Sequence, residues 1–274
     1  MNPQKIMDDQ PEKTQYGLSS IGTPNASMPE LLSIALNGSL DFVEIRGLGG
    51  TLDLPAYFAA SPIPDRSNSL LPPVRLLATN LKLIEATEKE IQDFLCYVDL
   101  AVMLRAPYLR VFGGLRWGDL LSNGQLEQAA RIVEECRSAI REKSARCEIL
   151  IETHSAFSCS DACLRLNEFL DEPLNILWDS HHTWRDGGES PAQTWDKIGP
   201  RVRHIHFSDS RLRTEGGYEV VLPGLGEYPV ELFRKLLADV DYAYGVSLEW
   251  EKLWHPELPD ISVALNEFRR LLTS

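Results

Sequence analysis

Several features that often direct the search for a function are absent from this sequence. Its five cysteines form no C-x-x-C pair, which argues against the common dithiol and zinc motifs and favours reduced, mostly structural thiols. No apolar run approaches the roughly 20 residues that a membrane-spanning helix needs. The formal net charge is −13, and the sequence contains no cluster of lysine and arginine. A polyphosphate partner would therefore be repelled. The sequence therefore predicts no membrane span and no nucleic-acid partner.

The beginning of the chain is polar and lacks the apolar segment of a signal peptide. We expect a flexible tail over residues 1–15, followed by a single domain over residues 16–274, in a cytoplasmic protein. A length of 274 residues is typical of one α/β barrel.

After the tail, short apolar runs alternate with longer amphipathic stretches. Strands are predicted at 17–21, 41–47, 74–80, 108–114, 148–154, 175–181, 202–208 and 245–251, with helices at 27–38, 87–106, 124–143, 160–170, 191–198, 229–238 and 257–272. Strict alternation predicts parallel strands joined by crossover helices. No G-x-G-x-x-G motif follows the first strand, and eight units in this length favour a closed (β/α)8 TIM barrel. Residues 47–73 are rich in Gly, Pro and Ser, which indicates a degenerate second helix near 55–60.

The polar residues that could carry chemistry are concentrated late in the chain. All six histidines follow residue 150, and five lie at the carboxyl ends of predicted strands. The ends of strands five to eight carry Glu152 and His154; Asp179, His181 and His182; His204 and His206; and Glu249 and Glu251. Active sites of TIM barrels form at this end of the strands.

Strand geometry limits which of these side chains face the barrel interior, because alternate residues point the same way. We expect Glu152, Asp179, His206 and Glu249 to converge from four adjacent strands. The same parity places His154, His181, His204 and Glu251 on the inner faces, one layer away, whereas His182 lies just past its strand. His181 has no assigned partner, and His204 is expected in the core or in contact with a ligand residue.

Three converging carboxylates repel one another unless a cation lies among them. Three oxygen ligands and one imidazole suit one divalent ion, with Mn²⁺ or Mg²⁺ first and Co²⁺ or Zn²⁺ also compatible. A bound ion can acidify a C–H bond next to a carbonyl, and a neighbouring carboxylate can then move the proton.

The arrangement resembles the xylose isomerase-like TIM barrels, or sugar phosphate isomerase/epimerase family. The likeness covers almost the whole chain after the tail and rests on Glu44 in DFVEIRG, E-x-H at 152–154, D-x-x-H at 179–182, HIHFSDSR at 204–211, PGLGEYP at 223–229 and the final LEWE. The resemblance implies that Glu152, Asp179, His206 and Glu249 hold the metal. It also implies that the two glutamates serve as acid and base around a metal-bound enediolate.

For substrate binding, the resemblance implies roles for His182 and for an arginine after strand seven, where Arg211 is preferred to Arg213. His154, Trp184 and Lys252 are further candidates for contacts with the substrate. Trp250 and Trp254 could also stack on a sugar, although at least one of these tryptophans is expected to serve packing. The expected partner is a small carbohydrate or polyol, and a homo-oligomer remains open.

Four functions follow as alternatives. The leading one is a divalent-metal-dependent isomerase or epimerase acting on a sugar, a sugar phosphate or a polyol ketone. The second is a lyase on the same scaffold, either a dehydratase of inosose or dehydroshikimate type or a keto-glycoside eliminase. The endonuclease branch of the family is disfavoured, because the chain has no histidine before residue 154 and no D-x-H in 207–229. A non-catalytic carbohydrate-binding module is disfavoured by the intact set of four ligands.

Overall fold

Eight parallel strands form a closed barrel in the computed structural model, which describes residues 13–61 and 70–272. The strands of the described residues are β1 (Gln15–Ser19), β2 (Phe42–Ile45), β3 (Val74–Lys82), β4 (Tyr108–Phe112), β5 (Glu148–Glu152), β6 (Asn175–Asp179), β7 (Val202–Phe207), β8 (Ser210–Leu212), β9 (Tyr218–Val220) and β10 (Gly245–Leu248). The barrel order is β1-β10-β7-β6-β5-β4-β3-β2, and β8 pairs with β9 in a separate hairpin. The expected (β/α)8 TIM barrel is confirmed.

Helices lie between successive barrel strands and cover the outside of the barrel. Those of the described residues are α1 (Met28–Asn37), α2 (Leu54–Ala60), α3 (Glu88–Leu104), α4 (Asn123–Glu142), α5 (Ser160–Asn167), α6 (Ser180–Arg185), α7 (Pro191–Ile198), α8 (Val230–Asp239) and α9 (Ile261–Leu272). Among the residues that the structure describes, no helix combines the length and apolarity needed to cross a bilayer.

Local sequence signals explain where several helices begin. A capping box is present at α3, where Thr87 accepts a hydrogen bond from the Glu90 N–H and the Glu90 carboxylate accepts one from the Thr87 N–H. This reciprocal pair satisfies two N–H groups that a helix start leaves without partners. Ser122 and Ser190 make the same arrangement at α4 and α7.

The apolar interior lies in two places. Inside the barrel, Leu76, Ala78, Leu150 and Leu177 form a small buried cluster, with Tyr108 packed against it. The larger core fills the space between the strands and the surrounding helices. Strands buried on both faces read as continuous apolar runs, which is why their positions could be predicted.

The structure differs from the sequence prediction in several details. Strand β6 ends at Asp179 rather than at residue 181, because α6 begins at Ser180. The β8–β9 hairpin was not predicted, and α9 begins at Ile261 rather than near 257. Residues 1–12 of the expected tail lie outside the described residues, and Gln15 already belongs to β1. The degenerate second unit contains α2, although its residues 62–69 also lie outside the described part.

Candidate metal centre

Four side chains from adjacent strands meet at the carboxyl end of the barrel. One ligand atom from each of Glu152, Asp179, His206 and Glu249 lies within 4.8 Å of every other. The strand register produces this convergence, since Asp179 is paired with His206 across β6 and β7 and Ser247 is paired with His206 across β10 and β7. The four predicted ligands are therefore brought to one point.

Three of the four side chains in the cluster are buried. Glu152, Asp179 and His206 are each at most 2% exposed, whereas the Glu249 side chain is 15% exposed. The site therefore opens toward solvent on the side of Glu249. A small molecule that reaches the cluster must approach from the mouth of the barrel, where the βα loops end.

The imidazole of His206 has the geometry of a metal ligand. Its Nε2 lies 2.8 Å from Oε2 of Glu44, and its Nδ1 has no hydrogen-bond partner. Nδ1 instead faces two carboxylates, at 3.3 Å from Oε1 of Glu152 and 3.1 Å from Oε2 of Glu249. A histidine that donates from one nitrogen to a carboxylate presents its other nitrogen to a metal. The donor set of three carboxylates and one imidazole thus fits a hard or borderline divalent ion.

Buried charges give the cluster unusual acidities. Burial raises the pKa of the Asp179 carboxyl to about 7, with Glu249 and Glu152 adding to the rise and His182 opposing it. Burial would also raise the pKa of Glu152, but Arg110 and His206 outweigh it and hold that pKa well below its usual range. Burial lowers the pKa of His206, yet Glu249 and Glu44 together raise it well above its usual value. Three carboxylates in this space thus demand a positive charge.

Behind His206 lies a buried network centred on Glu44. The Ser19 hydroxyl donates to Oε1 of Glu44 at 3.1 Å, and His204 Nε2 lies 3.2 Å from Oε2. His204 Nε2 also lies 2.8 Å from the Ser247 hydroxyl. Glu44, His204 and His206 are themselves close enough to be considered as metal ligands. Oε2 of Glu44 already lies at hydrogen-bond distance from Nε2 of both histidines, so this network orients His206 from behind.

Arg110 supports a second ligand from within the barrel. Its Nε lies 3.2 Å from Oε2 of Glu152, and both side chains are at most 3% exposed. The guanidinium also stacks on Phe112, with 3.7 Å between its central carbon and the ring centroid. Sequence reasoning did not single out Arg110. A charged residue inside the apolar strand YLRVF was the signal that could have found it.

His182 and His154 lie together beside the cluster, with ring centroids 4.4 Å apart. Asp179 accepts the N–H of His182 at 2.7 Å and so caps α6, while its other carboxylate oxygen lies 3.9 Å from His182 Nε2. His182 Nδ1 lies 2.7 Å from Asp186. Despite burial, Asp179 and Asp186 raise the pKa of His182 to about 9. Burial and His182 lower the pKa of His154 to about 4. The two predicted substrate-binding histidines therefore adjoin the cluster.

A sequence model of the family described as "Xylose isomerase-like TIM barrel" matches residues 74–271 of this chain. The chain belongs to this family. The matched range includes all four residues of the cluster and the adjoining histidines.

Solved structures share the fold of this xylose isomerase-like barrel at low sequence identity. The probable 3-DHS dehydratase AsbF of Bacillus anthracis is 18% identical, with a TM-score of 0.75 over 95% of this chain and 99% of that chain. A structure of the IOLI protein with a bound zinc atom is 16% identical, with a TM-score of 0.73 over 94% and 98%. D-allulose 3-epimerase of Methylomonas sp., in complex with D-allulose, is 13% identical, with a TM-score of 0.64 over 96% of each chain. Comparison with curated protein sequences finds no match.

Other predicted contacts of this xylose isomerase-like barrel are not brought to the cluster. Arg211 is 57% exposed on the β8–β9 hairpin and is bonded to Glu219, which also lies 3.6 Å from Arg213. Lys252 donates to the main-chain carbonyls of Pro256 and Leu258. These bonds hold the three cations within surface loops. Among the residues that the structure describes, none of the three contacts the four proposed ligands.

Position on α6 decides what His181 and Trp184 contact. His181 does not follow strand parity, because it lies on a helix, where its Nε2 is 2.7 Å from the Ser210 hydroxyl. Burial lowers the pKa of His181 well below its usual value. Trp184 packs edge-on against Tyr228, with 5.7 Å between ring centroids.

The two later tryptophans that could stack on a sugar lie in different environments. Trp250 is 1% exposed and donates to the Pro259 carbonyl, whereas Trp254 is 54% exposed.

The loop PGLGEYP has a structural partner that sequence reasoning missed. The buried carboxylate of Asp209 accepts the N–H groups of Gly224, Gly226 and Tyr228 at 2.8, 3.0 and 3.1 Å. A Cβ at position 226 would lie 2.1 Å from the Asp209 carboxylate, and Gly224 adopts a φ of +82° that L side chains rarely adopt. The loop is thus a turn anchored on Asp209 that leads into α8.

Proposed function

We propose that this protein is a divalent-metal-dependent isomerase or epimerase of a ketose, a sugar phosphate or a related polyol ketone. The observation that carries the proposal is that the carboxylates of two glutamates lie close to the same nitrogen atom of His206. Glu152 and Glu249 come from strands on opposite sides of β7, and their carboxylates lie 3.3 and 3.1 Å from Nδ1 of His206. Two carboxylates at one centre suit the removal of a proton from a carbon and its return.

Each residue of the proposed site has a separate task. Glu152, Asp179, His206 and Glu249 hold the ion, and Mn²⁺ or Mg²⁺ suits this oxygen-rich set best. When bound, the ion supplies Lewis acidity that makes a C–H next to a carbonyl more acidic. Glu152, kept ionised by Arg110, accepts a proton from the substrate carbon, and Glu249 supplies or removes one at the more open side. His182, oriented by Asp186, and its neighbour His154 hold substrate oxygens.

A lyase is the second candidate for the same site. The residues that remove the first proton would be the same, and the reaction would differ only in the departure of a leaving group. The probable dehydratase AsbF, which has this fold, motivates the alternative. In that reaction His182 is placed to donate a proton to a leaving hydroxyl, because its raised pKa of about 9 keeps it protonated at neutral pH.

Proton NMR in D₂O distinguishes the two reactions. Mn²⁺-loaded protein is incubated with candidate ketoses and keto-polyols, in parallel with Glu152→Gln and Glu249→Gln variants. An isomerase or epimerase yields an isomeric product that retains solvent deuterium at the reacting carbon. A lyase yields an unsaturated product and water or an aglycone. Equal turnover in the wild type and both variants would contradict the assignment of the two glutamates.

A further inference from the structure

Arg46 stands at the mouth of the barrel, directly after β2. Its N–H donates to the hydroxyl of the fully buried Ser20 at 2.9 Å, which fixes the main chain at this point. Two residues earlier on the same strand, Glu44 faces inward and contacts His206. Alternate residues of a strand point the same way, so Arg46 continues the face of Glu44 toward the carboxyl end of the barrel.

The groups that act on the charge of Arg46 include two members of the carboxylate cluster. Burial and the guanidinium of Arg110 lower the pKa of Arg46 to about 10, while Tyr97, Glu152 and Glu249 act in the opposite direction. With a pKa of about 10, the guanidinium remains charged at neutral pH. Sequence reasoning missed this residue, since a single arginine after an apolar strand reads as a surface charge.

The guanidinium of Arg46 has unused hydrogen-bonding capacity. Its Nη1 is buried without a hydrogen-bond partner, and no carboxylate within residues 13–61 and 70–272 forms an ion pair with it. Two other arginines each lie beside a carboxylate, Arg110 at 3.2 Å from Glu152 and Arg185 at 2.9 Å from Asp186. Nη1 of Arg110 is also without a hydrogen-bond partner, so Arg46 differs from Arg110 in lacking a carboxylate partner. A buried donor without an acceptor is unfavourable, so this nitrogen is available to a bound ligand that supplies an acceptor.

We propose that Arg46 binds a terminal oxyanion group of the substrate, a carboxylate or a phosphate, so that this enzyme acts on an anionic keto compound rather than on a neutral ketose. This inference rests on the proposed isomerase or lyase function and names the substrate class of the same site. A guanidinium matches both groups, because its planar N–H fork pairs with two oxygens at once. The net charge of −13 gives the surface no general attraction for anions, so selectivity for one requires a dedicated cation such as Arg46.

Matched ligand pairs test the inference on the full Mn²⁺-loaded chain. Isothermal titration calorimetry compares D-fructose 6-phosphate with D-fructose, and 3-dehydroshikimate with its methyl ester. The variants are Arg46→Gln, Arg46→Lys and, as a control, Arg116→Gln, which removes an exposed arginine of a loop at the same end of the barrel. Mn²⁺ content is measured in every sample.

The expected result is a wild-type preference for the anionic member of one pair. Arg46→Gln weakens binding of that anionic ligand by about 10- to 100-fold, as expected for a lost charge-assisted hydrogen bond, and leaves the neutral member unchanged. Arg46→Lys retains part of the preference, and Arg116→Gln retains all of it. The pair that responds identifies the phosphate or the carboxylate as the bound group.

Three outcomes would overturn the inference: no binding of either anionic ligand, equal binding of both members of each pair, or an unchanged preference in Arg46→Gln. If the wild-type protein holds Mn²⁺, each of these outcomes refutes the inference on Arg46 without refuting the proposed metal centre. A wild-type protein that holds no Mn²⁺ contradicts the proposed function itself.

Discussion

Oε2 of Glu44 lies 2.8 Å from Nε2 of His206, and both side chains are 1% exposed. This pair joins β2 to β7 across the barrel interior and fixes the plane of the imidazole. It also holds the Nε2 side of the ring, so that Nδ1 faces Glu152 and Glu249. Glu44 thus determines how His206, one of the four proposed ligands, is oriented.

Removing the Glu44 carboxylate should weaken metal binding. We expect Glu44→Ala to lower Mn²⁺ affinity by about 10- to 100-fold, because His206 loses the partner that orients it. Glu44→Gln should lose less, since its amide oxygen can still accept a hydrogen bond. Titration of Mn²⁺ by calorimetry measures the affinity, and the visible spectrum of the Co²⁺-loaded protein should change with the ligand geometry.

Glu148→Gln is a suitable control for this experiment. Glu148 lies on β5, as Glu152 does, but at the opposite end of the strand, where it is bonded to Asn175. Its loss should leave Mn²⁺ affinity unchanged. A Glu44→Ala protein that is folded and has wild-type Mn²⁺ affinity and an unchanged Co²⁺ spectrum would show that Glu44 does not position His206.

The pKa of Asp179 predicts how metal stabilisation depends on pH. Burial raises that pKa to about 7 in the ion-free protein, compared with an ordinary value of 3.8. Between these values the folded chain keeps a proton that the unfolded chain has lost, so this group makes the ion-free fold less stable as pH rises. Mn²⁺ requires the ionised carboxylate, and it removes this penalty where the group is ionised.

We therefore expect the rise in Tm on adding Mn²⁺ to be larger at about pH 8 than at about pH 6. Differential scanning calorimetry at both pH values, with and without Mn²⁺, measures the difference. Asp179→Ala removes the group and should abolish most of the Mn²⁺ effect. A larger Mn²⁺ effect at the lower pH would be incompatible with this role of Asp179.

The buried pair of Arg110 and Glu152 predicts a stability change that the ion can offset. Arg110→Met leaves the Glu152 carboxylate buried without its cation, and breaking such a pair typically costs about 3–5 kcal/mol. The free energy of unfolding in the absence of metal should fall by about that amount, as measured by urea denaturation. Mn²⁺ should restore more stability to Arg110→Met than to the wild type, because it replaces the lost positive charge. Equal stabilisation of both proteins would argue against this electrostatic role.

Much of the fold and the convergence of four polar side chains could be predicted because two simple rules apply. Apolar runs identify buried parallel strands, and a polar residue at the end of such a run lies at the mouth of a barrel. Glu152, Asp179 and His206 follow that rule within their strands, and Glu249 follows directly after β10. The chemistry of the ligand set then follows from residue type alone.

The supporting residues could not be predicted because their partners are distant in sequence. Glu44 and His206 are 162 positions apart, and only closure of the barrel brings β2 and β7 within reach of one another. Arg110 was not singled out, although a charged residue within the apolar strand β4 was a usable signal. The start of α6 had a recognisable signal in the sequence, because aspartate is a common N-terminal cap and Asp179 accepts the N–H of His182. The sequence prediction instead continued the strand to residue 181.

The metal content of the purified protein, with and without Asp179→Ala, tests the central claim most directly. We expect about one Mn²⁺ per wild-type chain after incubation with Mn²⁺ and removal of unbound ion. We expect a folded Asp179→Ala protein with little or no bound Mn²⁺, because one of four proposed ligands is lost. A wild-type protein that stays free of metal under these conditions, or an Asp179→Ala variant that binds Mn²⁺ as tightly as the wild type, would contradict the assignment of the cluster as a metal centre.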